Sequence, residues 1–178
     1  MPTYVAFLRA INLGSTRKFP KDAIRAATEA AGGSGVETYI NTGNVRLTHS
    51  ARSVGAVQKA LEKAYAAEAG FDVPTIVFTA AEVAALSARA AELHAEHQPS
   101  GQHYITLYAS APSAEAARAV HDLAYDGEIC VVDGRAAHAL LDGGVHTSRL
   151  LGSKEFKGLG QGTARTHKVL GTVAEKWC

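Results

Sequence analysis

Cysteine is nearly absent from this sequence, with two among 178 residues, Cys130 and Cys178. Two thiols so far apart make no disulfide framework and no thiolate cluster, and both are expected to stay reduced. An excess of one charge is missing too. Eighteen lysines and arginines stand against 17 acids, a net charge of +1, and the two signs are interspersed, so no electrostatic footprint for nucleic acid or an anionic membrane is present. No apolar run approaches the roughly 20 residues of a bilayer-spanning helix, and Met1-Pro2-Thr3-Tyr4 has no basic leader character. A cytoplasmic protein with no membrane partner is expected. With five prolines and no Pro/Ser-rich tract there is no linker, and the length suits one compact unit burying roughly 70% of its unfolded surface.

Catalytic signatures are missing as well. There is no Gly-x-Ser-x-Gly elbow and no Walker A, and the glycine-rich Gly158–Thr163 stretch lies outside any βαβ unit, the setting a dinucleotide fingerprint requires. Catalytic residues therefore stay unassigned, and no cofactor is expected.

What is present is a clear alternation of elements. Tyr4 to Ile11 reads as a strand, a polar loop leads to Pro20 at a helix start, and Ala23, Ile24 and Ala27 repeat at helical spacing up to Gly32-Gly33. Val36–Ile40 and Val45–Thr48 read as a hairpin turning through Asn41-Thr42-Gly43-Asn44, residues that tolerate positive φ. Val54, Val57, Leu61 and Tyr65 line one face of a second helix, and Val73–Phe78 is β-rich. The order βαββαβ is that of the ferredoxin-like split βαβ, an antiparallel sheet with both helices on one face.

Thr79 and Glu82 suit a capping box for a third helix carrying Val83, Leu86, Ala90 and Leu93, followed by a polar loop over His94–Gln102. Residues 103–142 repeat βαββ, with Asp133-Gly134 at a hairpin. Ser148–Lys157 and Ala164–Lys176 read as C-terminal helices. The expected fold class is α+β, two ferredoxin-like halves divided as residues 1–79 and 80–178.

The clusters Tyr4-Val5-Ala6-Phe7-Leu8-Arg9-Ala10-Ile11-Asn12-Leu13-Gly14, Lys18, Thr38-Tyr39-Ile40-Asn41-Thr42-Gly43-Asn44-Val45 and Thr163-Ala164-Arg165 together resemble a bacterial domain-of-unknown-function family, number 1697. That family shows a strand ending Arg-Gly-Ile-Asn-Val-Gly-Gly, a Tyr-Ile-Gln/Asn-Ser-Gly-Asn-Val turn and a late Thr-x-Arg-Asn-Trp. Here Ala10, Leu13, Ser15, Thr42 and Thr166-His167 depart from those motifs. The resemblance implies the double ferredoxin-like fold and no activity.

Several residues in these clusters are candidates for a site. Alternation places Val5, Phe7, Arg9 and Ile11 on one strand face, where the Arg9 guanidinium is either a structural ion pair or a fork for phosphate or carboxylate. Asn12, Gly14 and Lys18 occupy a loop running into a helix N-terminus, a setting that favours anions. Asn41 and Asn44, which bracket Gly43, are either turn formers or, facing the same edge as Asn12, a set of amides for recognition. Thr163 as a helix cap would set Arg165 in a first turn, a poor place for a cation unless an anion or acid is near. His94, His97 and His103, with Glu96 the one acid among them, read as a polar loop, and no metal site is assigned.

The leading expectation is a small-molecule binding module for an anionic or nucleotide-like ligand, held between the halves by Arg9, Asn12, Gly14, Lys18, Asn41, Gly43, Asn44 and Arg165. An enzyme using the same cleft and a protein-interaction domain are the alternatives, with Lys18 and His49 the faint candidates for titratable groups. Nucleic-acid binding ranks lower, because the third strand, Asn44–His49, lacks the aromatic residues on which RNA-recognition sheets stack bases. The oligomeric state is open.

Overall fold

The computed structural model describes residues 1–178, in two compact units: residues 1–84 with 173–178, and residues 85–172. In the first, β1 (Thr3–Leu8), α1 (Lys21–Ala30), β2 (Ser34–Tyr39), β3 (Asn44–Thr48), α2 (Val54–Ala69) and β4 (Thr75–Thr79) form an antiparallel sheet of order β2-β3-β1-β4. β1 is central, pairing Ala6 with Val45 on one side and Val77 on the other. Its alternate residues Tyr4, Ala6 and Leu8 pack with Leu47, Ile24, Val57, Leu61 and Tyr65 of the sheet and helices. This is the amphipathic arrangement expected from the two helical stripes.

The alternation stops at Leu8. Ile11, expected on the face of Val5 and Phe7, instead joins Tyr4, Ala6 and Leu8 in the helix-side core, because Ala10 adopts φ +55 and turns the chain over. Arg9 therefore follows the strand rather than extending its pattern, its backbone N–H donating to Pro74 O at 2.9 Å.

Within that core the Tyr65 hydroxyl meets Thr28 Oγ1 at 2.8 Å, and Thr28 Oγ1 donates in turn to Ile24 O at 2.7 Å. Burial pushes the phenol far above its usual range, so it stays a donor. Tyr65→Phe removes one buried bond whose partner keeps another, and should lower unfolding free energy by about 1 kcal/mol in urea titration.

In the second unit β5 (Gln102–Tyr108), α4 (Ala114–His121), β6 (Glu128–Asp133), β7 (Ala136–Leu141) and β8 (Gly162–Thr166) repeat the same strand order, β6-β7-β5-β8. The long helix expected before the last strand of such a fold is reduced to α5 (Arg149–Gly152) and α6 (Lys154–Lys157). Both have serine caps, Ser148 and Ser153, and Glu128 accepts from the N–H groups of Arg149 and Leu150 at the start of α5.

Two expectations from the sequence are corrected here. The segment expected to be helical from Ala164 is a strand to Thr166, paired along β5 from Tyr104↔Thr166 to Tyr108↔Gly162, and helix α7 begins only at His167 and runs to Trp177. The free edge of β5 takes up these backbone groups, which outweighs the modest helix preference of Ala and Arg. The polar loop expected from His94 is still helix, since α3 runs from Ala80 to His97. Its start is as expected, with Thr79 N–H donating to Glu82 Oε2 at 2.7 Å and Glu82 N–H to Thr79 Oγ1 at 3.2 Å.

Candidate functional site

In the first unit the loop after β1 and the β2–β3 turn meet. Asn12 joins them: its Nδ2 donates to Phe19 O (3.2 Å) and to Asn41 O (2.9 Å), and its Oδ1 accepts from Phe19 N–H (2.9 Å). Phe19 is buried edge-on against Tyr65, so one amide ties the loop both to a core anchor and to the neighbouring turn. Arg17, a residue not singled out from the sequence, closes the other side, with Nε donating to Ala10 O, Nη2 to Asp72 O, and the guanidinium 4.4 Å above the Phe71 ring.

These loops are strained. Four of the five non-glycine residues with positive φ, Ala10, Asn12, Arg17 and Ile40, lie in them. For Ile40, a β-branched residue at φ +50, that conformation costs about 1–2 kcal/mol. Such strain persists only where surrounding bonds impose it, and it concentrates at binding sites.

The loops frame an open cavity of about 580 Å³ lined by Asn12, Gly14, Lys18, Asn41 and the first turn of α1, Pro20, Lys21 and Asp22. Helix α1 starts without a side-chain cap, so its first N–H groups have no intrahelical acceptor and complement the two lysines. Lys21 was missed in the sequence because it reads simply as a helical surface residue.

The remaining candidates go elsewhere. Asn44 is buried and its Nδ2 donates to Tyr39 O (3.0 Å) and Thr42 Oγ1 (3.1 Å). Gly43 packs against the end of β1, its O accepting from Leu8 N–H at 2.8 Å. Arg9 does not line the cavity. His49 is committed, its ring bonding Ala31 O and Ala51 N–H. Arg165 belongs to the second unit, in β8 rather than in a helical turn, with Nη1 donating to Thr163 Oγ1 and Ala164 O at 2.8 Å. Thr163 shares that strand, and it is Thr166 that caps α7, accepting from Val169 N–H at 3.3 Å.

The second unit holds a group of histidines. His94 from α3, His103 from β5 and His167 from the start of α7 bring one ring nitrogen each within 4.8 Å of the others. Their planes are within 8° to 11° of parallel, with centroids 4.5 to 5.7 Å apart. His138 lies diagonally across the β5–β7 pair from His103, its Nδ1 3.1 Å from His103 Nε2. His103 and His138 are buried, and burial with neighbouring imidazoles pushes His103 down to about 3. Burial likewise lowers His138 to about 4, so both rings are neutral at neutral pH.

Three of these buried nitrogens, His94 Nδ1, His103 Nδ1 and His138 Nε2, have no hydrogen-bond partner. Each such group costs about 1–3 kcal/mol, more than ring stacking at about 0.5–1.5 kcal/mol per pair comfortably offsets. His167 could not be joined to the others from the sequence, since 64 residues separate it from His103.

No helix is long and apolar enough to cross a membrane. The model of a family described as a protein of unknown function (DUF1697) matches residues 1–138. A search of curated proteins finds no match. Among solved structures, the conserved bacterial protein SP0830 from Streptococcus pneumoniae is similar, with a TM-score of 0.71 and 18% identity over 99% of this chain and 98% of that one. At that identity the likeness concerns the fold.

Proposed function

The chain belongs to the DUF1697 family of unknown function, and since that membership names no activity, we propose from its own residues that it binds a small anionic ligand. The ligand, phosphorylated or carboxylate-bearing, occupies the cavity beside α1 in the first unit. The observation that carries this reading is the concentration of non-glycine residues at positive φ, Ala10, Asn12, Arg17 and Ile40, in the loops that frame a cavity with two lysines and an uncapped helix start.

The roles divide by what each side chain already does. Lys18, Lys21, Gly14 and the first turn of α1 face the ligand, with Asn41 at the rim. Asn12, Gly43 and Asn44 hold the loops in place, and Arg9 and Arg165 are not needed. Asp22 is the one carboxylate lining the cavity, outnumbered there by the two lysines, which suits an anionic ligand. A cytoplasmic setting, with buried Cys130 and exposed Cys178 both free, accords with a phosphorylated metabolite as ligand.

Calorimetric titration with inorganic phosphate, nucleoside phosphates, sugar phosphates and dicarboxylates tests the reading. Saturable binding by one class is expected, weakened about tenfold by Lys18→Ala and again by Lys21→Ala, which corresponds to ~1.4 kcal/mol per charged contact. No binding by any class, or binding indifferent to both lysines, overturns it.

A further inference from the structure

The geometry points to a second, separate site: a divalent transition-metal ion, zinc by preference, held in the second unit by His94, His103 and His167. The three residues come from different elements, and each brings a ring nitrogen within 4.8 Å of the others. They line a cavity of about 290 Å³ together with Gly101, Gln102, Thr166 and Lys168.

The donor set fits the ion's chemistry. Imidazole suits zinc and its neighbours in the first transition row, and three protein ligands leave a fourth position for water or an exogenous anion. Two nitrogens bound tetrahedrally to one zinc at about 2.0–2.1 Å are about 3.4 Å apart, so the nearly parallel rings turn in toward a common point as the nitrogens, now within 4.8 Å of one another, close up. His94 and His167, half-buried on helices, are the rings that make that turn.

His103 is the decisive residue. It is only 4% exposed, it lines the cavity, and its Nδ1 has no partner. Its Nε2 meets His138 Nδ1 at 3.1 Å. If Nε2 carries the proton and donates to His138, Nδ1 is left with a free lone pair for a metal. A metal-bound histidine usually has its other ring N–H held by an acceptor, and here the His138 imidazole fills the place that a carboxylate or carbonyl commonly takes.

The charges around the triad also bear on the site. Lys168 is the charged group lining the cavity, and no carboxylate lines it. A bound dication with three neutral ligands beside a lysine favours an anion, hydroxide or carboxylate, in the fourth position.

The experiment uses the full chain, freed of metal with a chelator and titrated at pH 7.5 with Zn²⁺, and with Co²⁺ as an optical probe. One equivalent of each is expected to bind, Co²⁺ giving the intense visible bands of a four-coordinate site and Zn²⁺ displacing it. His167→Gln and His103→Gln should each weaken binding at least ~100-fold, since even outer-shell losses cost 10–100-fold. His97→Gln and His121→Gln, histidines of the same unit outside the triad, should leave it unchanged. Circular dichroism separates lost ligation from lost fold, and the half-buried His167 keeps the test usable should the His103 variant not fold. Absence of the Co²⁺ bands, or metal binding that survives His167→Gln in a folded protein, overturns the assignment.

Discussion

Gly43→Ala is expected to lower the unfolding free energy by about 3 kcal/mol, the largest loss from a single added methyl group in the β2–β3 turn. Two costs add. Gly43 adopts φ +81, where an L-residue pays about 1–2 kcal/mol. A Cβ there would also stand 2.6 Å from Leu8 Cβ and 2.9 Å from Ile11 Cδ1. Leu8 belongs to the central strand and is fully buried, so its Cβ cannot move aside, and overpacking of this kind costs about 1–3 kcal/mol. The bond from Leu8 N–H to Gly43 O ties the same turn to the strand and leaves little room for a rigid shift. Urea unfolding with an unchanged slope checks the value. A loss under 1 kcal/mol would mean that the turn is free to move, and with it the frame of the proposed anion site.

Asn12→Asp is expected to cost more than Asn12→Ala, about 3 against about 2 kcal/mol. The amide donates to two carbonyls, Phe19 O and Asn41 O, and accepts from Phe19 N–H. Alanine forfeits these bonds. Aspartate keeps the shape but sets carboxylate oxygen against two carbonyl oxygens, a repulsion that exceeds simple loss. The comparison is discriminating because Asp tolerates the positive φ of Asn12 nearly as well as Asn does, so a residue needed only for its turn conformation would accept it. The sign of the pH dependence follows. The new carboxyl has its folded-state pKa raised above the unfolded value near 3.9, so the variant regains stability as pH falls toward 4 while the wild type does not. Equal stability of Asp and Asn at pH 7 would remove Asn12 from the role given to it. Both substitutions should also weaken phosphate binding, since Lys18 follows the loop that Asn12 holds.

The two asparagines show how far local reading reaches. Asn12 and Asn44 stood out as polar residues at strand ends, and both do sit at demanding turns. Whether their amides faced a ligand or the chain itself depended on partners up to 29 residues away, which no spacing rule supplies. Lys21 and Arg17 were unremarkable for the opposite reason, since basic residues at a helix start or in a polar loop are ordinary until the fold shows what they face. The second half of β8, Ala164–Thr166, was read as the start of a helix because Ala and Arg favour helix and run straight into the helical pattern that follows. Its conformation comes from the open edge of β5.

The βαββαβ order of residues 4–78 and the βαββ order of residues 103–142, the hairpins at Asn41–Asn44 and Asp133-Gly134, and the capping box at Thr79–Glu82 were determined by the sequence alone. Periodicity, turn chemistry and capping act over a few residues, and those interactions are written locally. The tertiary structure alone decided that Ile11 joins the helix-side core, that residues 162–166 are a strand, and that His94, His103 and His167 converge. Each of these depends on which distant segments pack together, and the free energy that selects such pairings is distributed over the whole buried core rather than carried by the residues concerned.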